Sequence, residues 1–110
     1  MTNFISDLEV IINEANVNVP EKFEFNIRHI SRIANKNIAA IPTLDVRQYN
    51  ALKRNDVYTV GQIVDRWNDL VNMNYVGAVT VKGIKNALLS YYYDNLSDDE
   101  KMEFWKKAFS

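Results

Sequence analysis

Apolar residues recur at helical spacing near the start of the chain. Phe4, Leu8, Ile11 and Ala15 fall three or four residues apart and would line one face of an α-helix. The polar stretch that ends at Pro20 interrupts this pattern, because proline cannot continue a helix. The pattern therefore predicts a first helix that ends before this stretch.

The next segment, residues 21–37, fits two patterns. Phe23, Phe25 and Ile27 alternate as they would in a β-strand, whereas Phe23, Ile27 and Ala34 also fit one face of a helix. A short strand would have no obvious partner here, and an isolated hairpin is only marginally stable. We therefore predict a helix over this segment, with the strand as the alternative.

Residues that favour helix N-termini precede the later apolar stripes. The candidates are Thr43 or Asp45, Thr59, Asn68 or Asp69, Thr80, and Ser97. Ser97 is the clearest of them, because Glu100 follows three residues later and completes a capping box. Together with the N-terminal segments, these helix starts predict an all-α fold, a compact bundle of five or six short helices.

The length of 110 residues fits a single domain, residues 1–110. We divide it into an N-terminal helical extension at 1–40, a compact centre at 41–93 and a C-terminal helix at 94–110. The centre holds six basic and four acidic residues, whereas acidic residues outnumber basic ones in both flanks. The formal net charge of -1 argues against strong non-specific DNA binding, and any nucleic acid should contact the centre.

The composition excludes several kinds of active site. There is no cysteine and His29 is the only histidine, so neither a zinc site nor a histidine-based triad can be assembled. The three glycines do not form a glycine-rich phosphate loop. Asp98, Asp99 and Glu100 are interpreted as the first turn of a helix, where the helix dipole favours carboxylates. We therefore expect a binding protein and not an enzyme, with no cofactor and no metal.

The N-terminal sequence does not have the pattern of a signal peptide. It lacks a basic region, and Asp7 and Glu9 interrupt its apolar residues. No apolar run approaches the roughly 20 residues that a membrane span needs. We expect a cytoplasmic protein without membrane contact, and the oligomeric state is left open.

Three stretches of the centre have a more specific pattern. Residues 44–54 read LDVRQYNALKR, residues 58–61 read YTVG, and residues 75–77 read YVG. With the apolar positions that follow, residues 44–88 resemble the C-terminal domain of the bacterial RNA polymerase alpha subunit. The resemblance implies a compact helical domain that ends in a helix-hairpin-helix element. That family binds the minor groove of AT-rich upstream DNA and contacts transcription activators.

The resemblance also implies which residues contact DNA. The family's groove-contacting arginine and asparagine stand here as Arg47 and Asn50, one helical turn apart and so on one face. Its turn glycine is Gly77, ahead of a helix N-terminus that would attract phosphate. Its hydroxyl at the start of the last helix is Thr80, which would keep both the cap and the phosphate donor. The lysine that precedes this hydroxyl in the family is Val79 here.

Two further positions depart from the family pattern. Gly83 replaces an acidic residue, and Ala51 replaces a cysteine. A glycine inside a helix costs about 1 kcal/mol relative to alanine. At position 83 it either permits close approach of a neighbour or is merely tolerated.

These residues lead to two hypotheses of different classes. The first is a free-standing, transcription-associated accessory protein that binds DNA weakly with a preference for AT-rich sequence. Its contact residues would be Arg47, Asn50, Gly77 and Thr80, supported by Lys53, Arg54 and Lys82. The second is a protein-interaction module on the same scaffold that has lost DNA binding and contacts a transcription-related protein. The absent lysine, the acidic flanks and the net charge favour the second hypothesis, whereas the retained arginine and asparagine favour the first.

Overall fold

The computed structural model of the chain describes residue 7, residues 26–74 and residues 76–108, with the side chains of the last two excepted. The predicted first helix lies outside the described residues apart from Asp7, which is helical. The described residues form five α-helices and two 3-10 helices. The α-helices are α1 (Ile27–Ile30), α2 (Val46–Arg54), α3 (Val60–Asp65), α4 (Ala78–Asp94) and α5 (Asp98–Ala108), and the 3-10 helices are Ile38–Ala40 and Trp67–Asn72.

The described ranges contain no strand, and the only β-type pairing in them is a single bridge between Asn37 and Thr59. The predicted all-α fold is therefore confirmed. α2 and the 3-10 helix Trp67–Asn72 both pack against α4, the longest helix described. This arrangement makes α4 the central element on which the site described below is built.

Three of the predicted helix starts are confirmed as reciprocal capping boxes, in which each side chain bonds the backbone N–H of the other residue. The pairs are Asp45 with Gln48, Thr59 with Gln62, and Ser97 with Glu100. The shortest of these bonds runs from the N–H of Gln48 to Asp45 Oδ1 at 2.7 Å. In each pair the partners are three residues apart, so the sequence alone specifies the helix start.

The helix predicted over 21–37 is mostly wrong within the part that the structure describes. It is limited to Ile27–Ile30, and the chain from 31 to 35 forms turns. The reason is a competing set of backbone bonds: the carbonyl oxygens of Ala34 and Lys36 accept from the N–H groups of Gly61 and Val60, each at 2.9 Å. These bonds tie the segment to the start of α3 and leave it no longer helix.

Two other predicted starts are also wrong. Gly77, and not Thr80, is the N-cap of α4, and its carbonyl oxygen accepts the N–H of Val81 at 2.9 Å. Thr80 therefore lies inside the first turn of the helix. The 3-10 helix Trp67–Asn72 begins after Arg66, one residue before the earlier of the two predicted caps, and it has no side-chain cap. In both cases the helix begins without the polar side chain that the prediction relied on.

Every described element except α1, which has no buried residue, contributes to the core. The fully buried side chains are those of Ile38, Leu52, Val57, Val60, Ile63, Leu70, Ile84, Leu88 and Tyr93. Trp67 and Trp105 are both buried, the first beside α4 and the second on α5. Burial of this apolar surface contributes on the order of 25 cal/mol for each Å² removed from water.

A chain of buried hydrogen bonds links α5, α4 and the N-terminal part of the protein. Trp105 Nε1 donates to the hydroxyl of Tyr93 at 2.8 Å, and this hydroxyl in turn donates to the carboxylate of Asp7. Burial raises the pKa of Tyr93 far above its usual range, so the hydroxyl remains protonated and able to donate. The packing of α5 against α4 therefore includes specific polar contacts.

Candidate nucleic-acid interface

α2 carries the largest share of the predicted contact residues. Arg47, Asn50, Lys53 and Arg54 are all exposed on this helix, which contains no acidic residue. Their spacing of three, four and seven residues keeps Arg47, Asn50 and Arg54 on one face. Lys53 lies with its Nζ 5.1 Å from the ring centroid of Tyr49, a cation–π distance. Arg47 forms no ion pair or side-chain hydrogen bond with any residue that the structure describes.

The start of α4 carries the other three predicted residues. Gly77 and Lys82 are exposed and Thr80 is half-buried. The N-cap glycine supplies no side-chain acceptor, so nothing at the cap occupies the N–H groups of the first turn. Gly77 has an extended backbone, with φ of -86° and ψ of 172°, and a Cβ there would meet no atom within 4 Å. The backbone therefore does not require glycine at this position, contrary to the turn role predicted for Gly77 itself.

The two helices that carry these residues lie against each other at Gly83. A Cβ built on Gly83 would stand 2.0 Å from Gln48 Nε2, which is inside the contact distance of real atoms. Of the two roles considered for this glycine, close approach of a neighbour is therefore the correct one. We call the seven predicted residues, which lie on α2 and at the start of α4, the basic surface: Arg47, Asn50, Lys53, Arg54, Gly77, Thr80 and Lys82.

The C-terminal end of α2 is closed by a Schellman motif. The N–H of Val57 bonds the carbonyl of Leu52 at 2.9 Å, and the N–H of Asp56 bonds the carbonyl of Lys53 at 3.1 Å. Asp56 has φ of 60°, the one positive φ of a non-glycine residue in the described ranges. This sharp turn ends the basic helix immediately after Arg54 and places a carboxylate beside its last turn.

Two exposed valines adjoin the basic surface. Val46 is the first residue of α2 and has 76% of its surface exposed, and Val79 in the first turn of α4 has 87% exposed. Single exposed apolar residues are common on protein surfaces. Two of them next to the predicted contact residues nevertheless provide apolar contact area that a phosphate backbone would not use.

A second polar cluster, which sequence reasoning did not predict, joins α1 and the turn after it to α4 and α5. Arg32 donates through Nη1 and Nη2 to the two carboxylate oxygens of Glu100, each at 2.9 Å. His29 Nε2 contacts the same carboxylate, and His29 Nδ1 lies 3.3 Å from the hydroxyl of Tyr92. We call these four residues the Glu100 cluster. They line or adjoin an open cleft of about 550 Å³.

The electrostatics of the Glu100 cluster indicate a structural role. The Arg32 guanidinium, followed by the backbone N–H of Ser97, lowers the pKa of Glu100 to about 2. The cluster contains the three groups of a catalytic triad in their order of contact, because the imidazole of His29 lies between the hydroxyl of Tyr92 and the carboxylate of Glu100. However, Tyr92 is only 4% exposed and burial raises its pKa, so its hydroxyl is neither accessible nor ionised.

Sequence reasoning identified Glu100 only as a capping residue, because its cap partner Ser97 is local. Its second partner, Arg32, is 68 residues away, and no pattern in the sequence links the two positions. Over the ranges that the structure describes, no three histidine or acidic side chains come together as a metal site would require. Within the same ranges, no helix has the length and apolar character to cross a membrane.

Comparison with known proteins gives no relative for this chain. No protein-family model matches it, and neither the curated proteins nor the solved structures contain a match.

Proposed function

We propose that this protein is a DNA-binding, transcription-associated accessory protein whose basic surface contacts the minor groove and the flanking phosphates. A cytoplasmic location is part of this proposal. One observation carries the proposal. α2 has three exposed basic residues and no acidic one, and the neighbouring helix α4 has an N-terminus without a side-chain cap. The resemblance of residues 44–88 to a groove-binding family is consistent with this surface.

Each part of the basic surface has a physical role in the proposal. Arg47 has no partner among the described residues, so it can enter a narrow A-tract groove without breaking an internal bond. Asn50 shares its face and would contact the base edges or sugars beside it. Lys53, Arg54 and Lys82 would contact phosphates, as would the first-turn N–H groups of α4.

The number of these contacts sets the expected affinity. Val79 supplies no charge, and Asp56 adds a carboxylate near the C-terminal end of α2. With only a few phosphates neutralised, the dissociation constant should lie near the non-specific range of about 10⁻⁴ to 10⁻⁶ M at physiological salt. Binding should weaken as salt is added, with a shallow slope, because the slope of log K against log salt is proportional to the number of phosphates neutralised.

Fluorescence anisotropy with labelled AT-rich and GC-rich duplexes at about 50 mM salt tests the proposal, because the electrostatic contribution is large there. We expect Arg47→Ala to weaken binding to the AT-rich duplex more than to the GC-rich duplex, and Val79→Lys to strengthen binding to both. Arg28→Ala is the matched control, since Arg28 is an exposed arginine on α1, outside the basic surface. If the native chain does not bind at high micromolar concentration, or if Arg47→Ala matches the control, the proposal is wrong.

The exposure of Val46 and Val79 favours a second candidate, a module that binds a transcription-related protein through the same face. Apolar side chains at the centre of such a face would be buried by a protein partner. This candidate expects no duplex binding at low salt and no gain from Val79→Lys. The anisotropy series therefore separates the two candidates without knowledge of the partner.

A further inference from the structure

Asn55, the residue that ends α2, makes more contacts than a helix cap requires. Its Nδ2 donates to the carbonyl oxygen of Ala51 at 2.8 Å, which satisfies one of the free carbonyls of the last turn. The same Nδ2 donates to the carbonyl oxygen of Asn74 at 2.9 Å, and Oδ1 accepts from the N–H of Asn74 at 3.2 Å. Because an N–H only donates and a carbonyl only accepts, one orientation of the amide satisfies all three bonds.

The backbone of Asn55 is also held. Its carbonyl oxygen accepts from Arg66 Nη1 at 2.8 Å, and Arg66 is the residue that ends α3. The guanidinium of Arg66 is oriented in turn by Asp69, whose carboxylate lies 3.2 Å from Nη2. Three parts of the chain therefore meet at Asn55: the end of α2, the end of α3 and the segment that leads to Gly77.

We infer that Asn55 is a positioning residue for the basic surface, holding the segment before α4 in place against the end of α2. This inference rests on the proposed function and adds a determinant outside the seven contact residues. α2 is held at both ends, because Gln48 lies against Gly83 and Asn55 bonds Asn74. Asn55, at the C-terminal end of α2, meets a residue that precedes α4, and Gln48, in the first turn of α2, meets a residue within α4.

The contact at Gly83 and the bonds to Asn74 are two fixed points between α2 and the α4 region. Together they set the position of the basic-surface residues on α2 relative to those at the start of α4. The first, at Gly83, depends on close packing of one side chain and on the absence of a Cβ. The second depends on two hydrogen bonds made by one amide, with donor and acceptor both directed at backbone. Without the second point, Asn74 has no hydrogen bond to α2 among the described residues. The first turn of α4, which follows Gly77, would then no longer be held at a fixed position relative to the end of α2, whereas Lys82 stays close to α2 through its neighbour Gly83.

A control for capping alone exists in the same chain. Asn95 ends α4, and its Nδ2 donates to the carbonyl oxygen of Tyr91 at 2.8 Å, the same bond that Asn55 makes to Ala51. Asn95 bonds no second segment in the part of the chain that the structure describes. Asn95→Ala therefore removes a cap, whereas Asn55→Ala removes a cap together with the link to Asn74.

The test is a double-mutant cycle in the anisotropy assay with the full chain and the AT-rich duplex. We expect Asn55→Ala to lower affinity roughly three- to tenfold, about the effect of losing one or two hydrogen bonds. We expect Val79→Lys, in the first turn of α4, to strengthen binding in the native background and to lose most of this gain in the Asn55→Ala background. Arg47→Ala should keep its effect in both backgrounds, and Asn95→Ala should leave the gain from Val79→Lys unchanged.

Hydrogen exchange measured by mass spectrometry provides a second readout that does not depend on DNA. The peptide that covers residues 73–80 should exchange faster in Asn55→Ala than in the native chain or in Asn95→Ala. Asn55→Asp, which keeps only the acceptor for Asn74, serves if the alanine variant does not fold, and it should give an intermediate exchange rate.

The possible outcomes are distinguishable. Faster exchange without any duplex binding by the native chain would contradict the proposed function while the link to Asn74 stands. Duplex binding in which Val79→Lys and Asn55→Ala contribute independently would overturn the inference and leave the proposed function standing. Unchanged exchange in both Asn55 variants would overturn the inference whatever the DNA assay shows.

Discussion

In the Glu100 cluster, two basic side chains contact one carboxylate, and all three groups lie between the N-terminal segment and α5. On the basic surface, Arg47 and Lys82 are exposed and have no carboxylate partner among the described residues. The chain contains nearly equal numbers of acidic and basic residues, 14 and 13, so this difference comes from their placement and not from an excess of one sign. Charges that pair stabilise the fold, and charges without an internal partner are available to a ligand.

The N-termini of α4 and α5 differ in what satisfies their first-turn N–H groups. The first turn of α5 is occupied by its own residues, because Ser97 and Glu100 satisfy its N–H groups and Asp98 and Asp99 match its dipole. The first turn of α4 has neither a side-chain cap nor an acidic residue. An anion therefore gains more at the start of α4 than at the start of α5. This asymmetry is the electrostatic basis for expecting a phosphate contact at α4.

The largest expected effect follows from removing the shared carboxylate. Glu100→Ala deletes the bidentate bond from Arg32, the contact with His29 and half of the capping box. We expect a loss of about 2 kcal/mol in the free energy of unfolding, the usual scale for charged hydrogen bonds to a mostly buried group. The corresponding fall in melting temperature is roughly 5–15 °C for a chain of this size.

Thermal unfolding followed by circular dichroism measures this effect. Glu103→Ala is the matched control, because Glu103 is an exposed residue of the same helix without an ion pair in the described ranges. Equal melting temperatures for the two variants would show that the Glu100 cluster does not stabilise the fold. A loss confined to Glu100→Ala would confirm the structural half of the comparison.

A smaller effect is expected from pH. The pKa of Glu100 is lowered to about 2 in the folded chain, mainly by the bond from Arg32, whereas in the unfolded chain it is about 4.3. A carboxyl with a lowered pKa contributes stability that is fully present above the unfolded value and is lost as pH falls through the folded value. The pKa of Asp69 is lowered by Asn72 and then by Arg66, so Asp69 acts in the same direction.

We therefore expect the stability of the native chain to fall between about pH 4.5 and pH 2. Glu100→Gln should make this fall shallower, because glutamine does not titrate. The stability difference between the native chain and this variant should be largest at neutral pH and should close near pH 2. Urea unfolding at a series of pH values measures it, with Glu103→Gln as the control. Parallel curves for the native chain and Glu100→Gln would contradict the assignment of the low pKa.

The sequence predicted what depends on neighbours a few residues away. Ser97 was predicted as a cap because its partner Glu100 lies three residues along the chain. Asp45, as the alternative to Thr43, and Thr59 were predicted from their side-chain chemistry, and the structure adds their partners Gln48 and Gln62. Thr80 was predicted on the same chemistry, but Gly77 is the N-cap of α4, which draws its stability from packing. Tertiary burial of this kind outweighs the small preference for a capping residue.

Contacts between distant residues could not be predicted in the same way. The bond between Arg32 and Glu100 depends on how α5 returns to the N-terminal segment, which no periodicity specifies. The role of Gly83 was left open for the same reason, since only the placement of Gln48 decides it. The basic surface was predicted residue by residue from a resemblance. The contact between α2 and α4, which brings its two halves together, comes from the fold.

The smallest expected effect on stability comes from two arginines that are chemically identical but differently placed. Arg32 has 46% of its side chain exposed and bonds Glu100, whereas Arg47 is exposed and bonds no described residue. We expect Arg32→Ala to lower the melting temperature measurably, although less than Glu100→Ala, because Glu100 keeps its bonds to Ser97 and His29. Arg47→Ala should leave the melting temperature unchanged, as surface substitutions without contacts usually do.

In the duplex anisotropy assay the ranking of the two variants should reverse, with Arg47→Ala impaired and Arg32→Ala equal to the native chain. General destabilisation cannot produce this pattern, because the variant that loses DNA binding is the one that keeps its melting temperature. If Arg47→Ala lowers the melting temperature as much as Arg32→Ala does, Arg47 has a structural partner and the comparison between the two regions fails. If both variants bind DNA as the native chain does, Arg47 is a solvated surface residue, and the exposed valines beside it become the feature of this face that a partner would recognise.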